Sequence, residues 1–329
     1  MWTVAAARPQ TPWEFILNRV FRIVPMYWLT TLTKLALVVA IPEFARHTFP
    51  TTWNTIASFL FIPSVDGTGI ARPVLAVGWT LSFEMFFYIA FAGALFLAID
   101  AVVAVGLLMV LLSLISLIAQ PDWPTFTNIA SPFLLEFAFG MIVGRTFLQK
   151  RFEGASPALA ILIGTAGLIG LAIVPADGAW QRAALWGTSA SATLCGALMV
   201  ERWLGHRLPK WLIDTGEASY SLYLTHGFVL PIIGMALGMS GLTGFALGMV
   251  LTTSGVVFSV IVSLLVFSAV EAPITNRLRA LVDGRQRVAT LASESVAGLS
   301  ETVGQLSRTV SEIGAKPLVG PGGKPPSMP

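Results

Sequence analysis

Four short stretches carry the residues whose type and spacing could do chemistry. In Asn18-Arg19-Val20-Phe21-Arg22-Ile23-Val24-Pro25-Met26-Tyr27-Trp28, Arg19 and Arg22 stand three apart. Three apart on a helix is one face. Guanidinium forks match phosphate oxygens and can stabilise a developing oxyanion. The same segment also reads as a positive anchor flanked by the interfacial aromatics Tyr27 and Trp28, with Pro25 loosening the turn above the arginines. In Gly78-Trp79-Thr80-Leu81-Ser82-Phe83-Glu84-Met85-Phe86-Phe87-Tyr88, Glu84 lies inside an apolar stretch with Tyr88 one turn on. A carboxylate there needs a base or an arginine, or must be protonated. Glu136, in Pro132-Phe133-Leu134-Leu135-Glu136-Phe137, is a second acid that could pair with Lys34 or help form a polar cavity. In Ser219-Tyr220-Ser221-Leu222-Tyr223-Leu224-Thr225-His226, Tyr223 and His226 share a face, with Ser219 a turn earlier. His226 reads either as a proton carrier or as a hydrogen-bonded packing residue.

These groups weigh more because of what surrounds them. The chain has 329 residues, of which 55% are hydrophobic and only 11% charged, with a mean hydropathy of +0.78. Soluble domains carry roughly 25% charge. Lipid is therefore the expected solvent, and the expected fold is all-α: a polytopic bundle of transmembrane helices. Eight spans are expected, over 23–42, 78–99, 101–119, 131–148, 157–174, 183–200, 219–238 and 244–270. Little more than Asp100 separates the second from the third, so those two must form a tight hairpin. Ionisable groups inside a span cost about 2.5–3.5 kcal/mol each, which makes Glu84 and Glu136 functional candidates by default.

Lysine and arginine in the connections set the orientation. One side collects 13 (Arg8, Arg19, Arg22, Arg145, Lys150, Arg151, Arg202, Arg207, Lys210, Arg277, Arg279, Arg285, Arg287) and the other only Arg46, Arg72 and Arg182. The imbalance alternates in step with eight spans and places both termini in the cytoplasm. Residues 43–77 form the one long outer connection, with the turn-prone Asp66-Gly67-Thr68-Gly69. It reads equally as a functional loop or an interfacial cap, and Ile56–Pro63 within it is too short to span. Gly140 and Gly144 are spaced for close helix packing.

Several classes drop out. Cys195 is the single cysteine, so there is no disulfide framework or cysteine metal site, and no metal is expected. Neither a Walker nor a Rossmann glycine pattern is present, and no nucleic-acid partner is expected. His47 and His206 sit in connections without visible partners. Residues 281–329 change character. Positions 289–313 show a heptad-like seam, which reads as a partner helix or as an amphipathic helix on the membrane surface. The Pro/Gly-rich end reads as disordered.

Taken in order, four motifs resemble a known family. They are Arg19-x-x-Arg22-Ile-x-Pro25-x-Tyr27-Trp28, Gly78-Trp79-Thr-Leu-Ser-Phe-Glu84-x-Phe-Phe-Tyr88, Ser219-Tyr220-Ser-Leu-Tyr223-Leu-Thr-His226 and Glu271-Ala-Pro273. Together they are similar to the membrane-bound acyltransferase 3 family, and Leu135-Glu136-Phe137 is similar to its exopolysaccharide-acetylase subgroup. The resemblance covers residues 1 to about 280. It implies a multi-pass enzyme of the bacterial inner membrane. That enzyme moves an acyl group, commonly acetyl from acetyl-CoA, onto a hydroxyl of an envelope or secreted saccharide. The donor is a co-substrate, and no permanent cofactor is implied. Arg19 and Arg22 match the arginines suited to the donor phosphates, and Arg22, Glu84 and His226 become the catalytic candidates. Tyr27, Trp28, Trp79, Tyr88, Glu136, Ser219 and Tyr223 become candidates for the cavity wall.

The family pattern has ten spans and a histidine base in the first. No such segment occurs here, and Met1-Trp2 looks like the end of the second. The expectation is a late start or a truncated, inactive gene, ahead of a replacement base such as His226. A rival from another class is a transporter or flippase that uses the same carboxylates for proton coupling. It is disfavoured by the absence of inverted repeats.

Overall fold

Backbone amides have no water to bond in lipid, so apolar runs must close their hydrogen bonds within themselves as helices. The structure, a computed structural model, does this throughout; it describes residues 11–41, 49–120, 123–175, 177–204 and 207–282. The helices along the expected spans are α1 (Pro12–Ala40), α3 (Trp79–Phe96), α4 (Ala101–Ile115), α5 (Leu134–Leu148), α6 (Pro157–Ile173), α7 (Gly187–Leu204), α9 (Ser219–Gly238) and α10 (Gly244–Val266). Two shorter helices accompany them, α2 (Thr52–Phe59) in the outer connection and α8 (Lys210–Glu217). Five helical stretches are long and apolar enough to cross a bilayer by themselves, and α4 and α6 are shorter apolar helices. All eight expected spans are helical. Residues Met1–Thr275 belong to one compact unit, and a second begins at Asn276. The heptad-like seam at 289–313, His47, His206 and the Met1-Trp2 segment lie outside the described residues.

The first helix begins eleven residues earlier than apolarity alone suggests. Thr11 caps it: its hydroxyl accepts from the Glu14 amide, and Glu14 returns the bond to the Thr11 amide, with Pro12 pre-set at the first position. Arg19 and Arg22 therefore sit inside a formed helix. Pro25 does not break it, and α1 continues to Ala40. At the expected hairpin, Ala98 adopts φ 53° and Asp100 caps α4 by accepting from the Val102 and Val103 amides. Those amides, with Arg145 at 3.1 Å, hold the Asp100 carboxyl below the usual carboxylate range.

Two features set the packing around the site. Helices α6 and α7 touch backbone to backbone. A Cβ on Gly196 would lie 2.5 Å from the Gly164 Cα, and one on Gly167 would lie 2.5 Å from the Ser189 carbonyl oxygen. Small residues let membrane helices approach this closely. Gly140, expected to serve that purpose, does not: a Cβ there meets nothing within 4 Å.

The outer connection folds down onto α1 and α3. Trp28 Nε1 donates to the Phe59 carbonyl at 2.9 Å, and the Tyr27 ring lies 4.7 Å from that of Phe61. Asp66 organises the turn beyond, accepting from the Thr68 hydroxyl (2.6 Å), the Thr68 and Ile70 amides, and Arg72 Nε (2.5 Å). The Thr68 hydroxyl and Arg72, with those amides, outweigh burial and hold the Asp66 carboxyl well below its ordinary range. This is the structure of a braced cap.

Candidate active site

Helix α3 runs antiparallel to α1, and that places its acid beside the arginines. Arg19 lies seven residues inside the start of α1, about 10 Å at 1.5 Å per residue. Tyr88 lies a similar depth from the far end of α3. The Arg19 guanidinium sits 5.4 Å from the Phe15 ring centroid and 5.5 Å from that of Tyr88. Phe15 and Tyr88 meet edge to face at 6.0 Å. The Tyr88 hydroxyl donates to Glu84 Oε1, one turn back on its own helix. Glu84 thus reaches the arginines through a phenol, and the charges of Arg19 and Arg22 both act on Tyr88. The hydroxyl donates, so Glu84 Oε1 is the acceptor of that bond.

Arg22 has a second acidic neighbour. Glu271 is 4% exposed, accepts from the Ser221 hydroxyl at 2.6 Å and feels the charge of Arg22. It ends a π turn, Phe267–Glu271, that widens the end of α10. The Tyr220 hydroxyl ties α9 to α1 by donating to the Ile23 carbonyl at 2.8 Å. Tyr223 ties α9 to the start of α3: its hydroxyl lies 2.5 Å from Thr80 Oγ1 and donates to the Val77 carbonyl. Next to that contact Gly78 has to be glycine, because a Cβ would come within 2.7 Å of the Tyr27 hydroxyl. Tyr27 is 1% exposed, so it is a core residue and not a belt residue.

The remaining candidates fall into distinct places. Glu84, Tyr88 and Glu136 line one open cavity of about 460 Å3, together with Gly140, Leu194 and Leu198. Tyr27 and Trp79 border a smaller one, about 110 Å3, beneath the outer connection. His226 turns Nδ1 to the Leu222 carbonyl of its own helix at 3.1 Å. With Nδ1 carrying the proton, Nε2 is left as the basic atom. Ser219 opens α9 with its side chain exposed, and the buried serine of the motif is Ser221.

Two site residues are not identified by sequence reasoning as such. Glu271 appears there only as part of a motif, although a lone acid in an apolar run is itself a signal. Arg182 counts there as an outer connecting charge. Its guanidinium lies 5.8, 5.0 and 5.6 Å from the Trp79, Phe133 and Trp186 ring centroids, and its charge acts on Glu136. Glu136 thus finds its cation on the outer face, from a residue that no spacing rule connects to it.

Apolar helices that hold two arginines, two glutamates and several tyrosines against one another define a multi-pass integral membrane protein with charged groups inside its bundle. That class takes in both transferases and transporters. The chain itself belongs to the acyltransferase 3 family: the family's acyltransferase domain matches residues 2–268. Among curated proteins it is similar to the exopolysaccharide production protein ExoZ of Rhizobium meliloti (strain 1021). The two are 34% identical over 295 residues, covering 85% of this chain and 86% of that protein. No solved structure matches the chain.

Proposed function

We propose that this acyltransferase moves an acetyl group from acetyl-CoA to a hydroxyl of an exopolysaccharide sugar at the bacterial inner membrane. Support comes from the family, from the naming of the ExoZ relative for exopolysaccharide production, and above all from one arrangement: Arg19 lies against the ring of Tyr88, whose hydroxyl donates to Glu84. In the reaction the sugar oxygen forms a bond to the thioester carbonyl carbon and the carbon–sulfur bond breaks. The hydroxyl proton leaves to a base, and the coenzyme departs as its thiol after protonation.

Each group has a task in that scheme. Arg22 and Arg19, at the inner end of α1, attract the donor's phosphates and stabilise negative charge on the carbonyl oxygen. Glu84 holds Tyr88 by its hydroxyl and balances the arginines, so that the phenol is presented at a fixed angle. Glu84 is the proton acceptor on the wall of this cavity, and His226 Nε2, outside that wall, is the alternative. Ser221 holds Glu271, which sets the position of Arg22.

The test is acetyl transfer from labelled acetyl-CoA by membranes carrying the full chain expressed from its own locus. Arg22→Ala and Glu84→Gln should each reduce transfer strongly with unchanged protein level. Wild-type rates in both would remove these residues from the mechanism. Uptake of saccharide into proteoliposomes without any acyl donor would favour the transporter class instead.

A further inference from the structure

A third cavity, of about 300 Å3, lies beside the 460 Å3 one, between α5, α6 and the beginning of α7. Arg182, Trp186, Glu136 and Leu171 border it, and it shares Glu136, Gly140 and Leu194 with the 460 Å3 cavity. The two are therefore neighbouring cavities that share those three lining residues. From Trp186 to Leu198 they follow about 18 Å of one helix at 1.5 Å per residue.

The outer chamber holds two opposite charges that do not touch each other. Arg182 acts on Glu136 electrostatically, yet the two form no ion pair within 4 Å. Among the described residues neither makes a side-chain hydrogen bond. The Arg182 guanidinium lies against three aromatic rings, those of Trp79, Phe133 and Trp186. Trp186 is itself fixed, its Nε1 donating to the Val174 carbonyl at 2.9 Å. A π turn, Arg182–Trp186, presents both residues, and π turns cluster at functional sites. A guanidinium and a carboxylate across a small cavity call for a ligand that accepts on one side and donates on the other. Aromatic rings around them call for a ligand with an apolar face. A pyranose has both: vicinal hydroxyls that accept and donate, and a face of C–H bonds.

We infer that the Arg182–Glu136–Trp186 chamber is the saccharide acceptor's subsite, and that the acceptor's reacting hydroxyl reaches Tyr88 and Glu84 past Gly140 and Glu136. This rests on the acyl-transfer reading above. It adds that donor and acceptor occupy different chambers and enter from opposite faces. Glu136 lines both cavities.

Gly140 gives a test, because it is exposed, lines both cavities, and a side chain there meets no other atom within 4 Å. The purified full chain is assayed with labelled acetyl-CoA and, as acceptor, alkali-deacetylated oligosaccharides from the exopolysaccharide of the producing strain. Gly140→Leu should cut transfer at least tenfold while the KM for acetyl-CoA stays within twofold. Trp186→Ala and Arg182→Ala should raise the oligosaccharide KM at least tenfold, and Arg182→Lys should recover part of it. Gly93→Leu, on the lipid-facing side of α3, should behave as wild type. An unchanged oligosaccharide KM in the folded Trp186 and Arg182 variants overturns the subsite. So does a rise in the acetyl-CoA KM alone, which would give the chamber to the donor. If the wild-type chain transfers acetyl to no saccharide, the functional reading itself falls and takes the subsite with it.

Discussion

Tyr88→Phe isolates one atom of the proposed machinery. The phenylalanine keeps the ring on which Arg19 rests at 5.5 Å and which Phe15 meets at 6.0 Å. Only the hydroxyl that donates to Glu84 is lost. A hydrogen bond to a charged group is worth about 1.5–3 kcal/mol, and each 1.36 kcal/mol is tenfold in rate. If the bond is needed in the transition state, acetyl transfer should fall about 10- to 150-fold. Tyr88→Leu removes the ring as well and should cost about 0.5–2 kcal/mol more. The assay is labelled-acetyl transfer at saturating donor, run for Tyr88→Phe, Glu84→Gln and the double variant. Since Glu84→Gln removes the charge from the same contact that Tyr88→Phe removes altogether, the double variant should lose little beyond the worse single one. Fully additive losses, or a Tyr88→Phe chain as active as wild type, would refute the idea that phenol and carboxylate act as a unit.

Other outcomes follow from the same contacts. Gly196→Val forces a side chain into the Gly164 backbone and the Ala160 carbonyl 2.7 Å away, so thermal unfolding in detergent should show a loss of at least about 1–3 kcal/mol. Asp100→Ala removes the cap of α4 and the Arg145 contact; the same measurement should show a loss of about 1 kcal/mol. Asp66 is a pH prediction. Its folded pKa is depressed, so its contribution is complete above the unfolded value of 3.8 and is lost as pH falls below that value. Protease cleavage in residues 49–78 should stay flat from neutral pH to about 5 and rise below about 4, and Asp66→Asn should abolish that rise. Ser221→Ala frees Glu271 from its 2.6 Å donor and should weaken acetyl-CoA binding through Arg22, measured as a raised KM.

The helices were legible because lipid leaves the backbone no other choice, and eight apolar runs separated by charge and proline declare themselves. The proximity of Arg19 to the Glu84–Tyr88 turn was legible only as motif company. The contact itself depends on antiparallel register, since it is the phenol and not the carboxylate that meets the guanidinium. Ser219 and Ser221 show the limit of motif reading. Two residues on a helix are about 200° apart, so the exposed serine and the one bonded to Glu271 look interchangeable in a string. Arg182 was hidden for another reason. Counting charges by connection assigns it to the outer surface, and only the tertiary arrangement of Trp79, Phe133 and Trp186 brings it inward. Tyr27 carries the same lesson in reverse: an aromatic near a span end reads as a belt residue until a glycine is found against its hydroxyl.

The two π turns place Arg182 at the start of one and Glu271 at the end of the other. A π turn is an α-helix wound with one surplus residue. The angular phase of the helix therefore differs by about 100° on its two sides. Direction in these helices is stored as a count, and a count can be changed without touching any functional side chain. Removing one alanine from Arg182–Trp186 would restore ordinary winding and swing the guanidinium toward the acyl tails, with every catalytic group still spelled out in the sequence. For this fold, a single-codon deletion far from any motif can be as disabling as the loss of the charge itself.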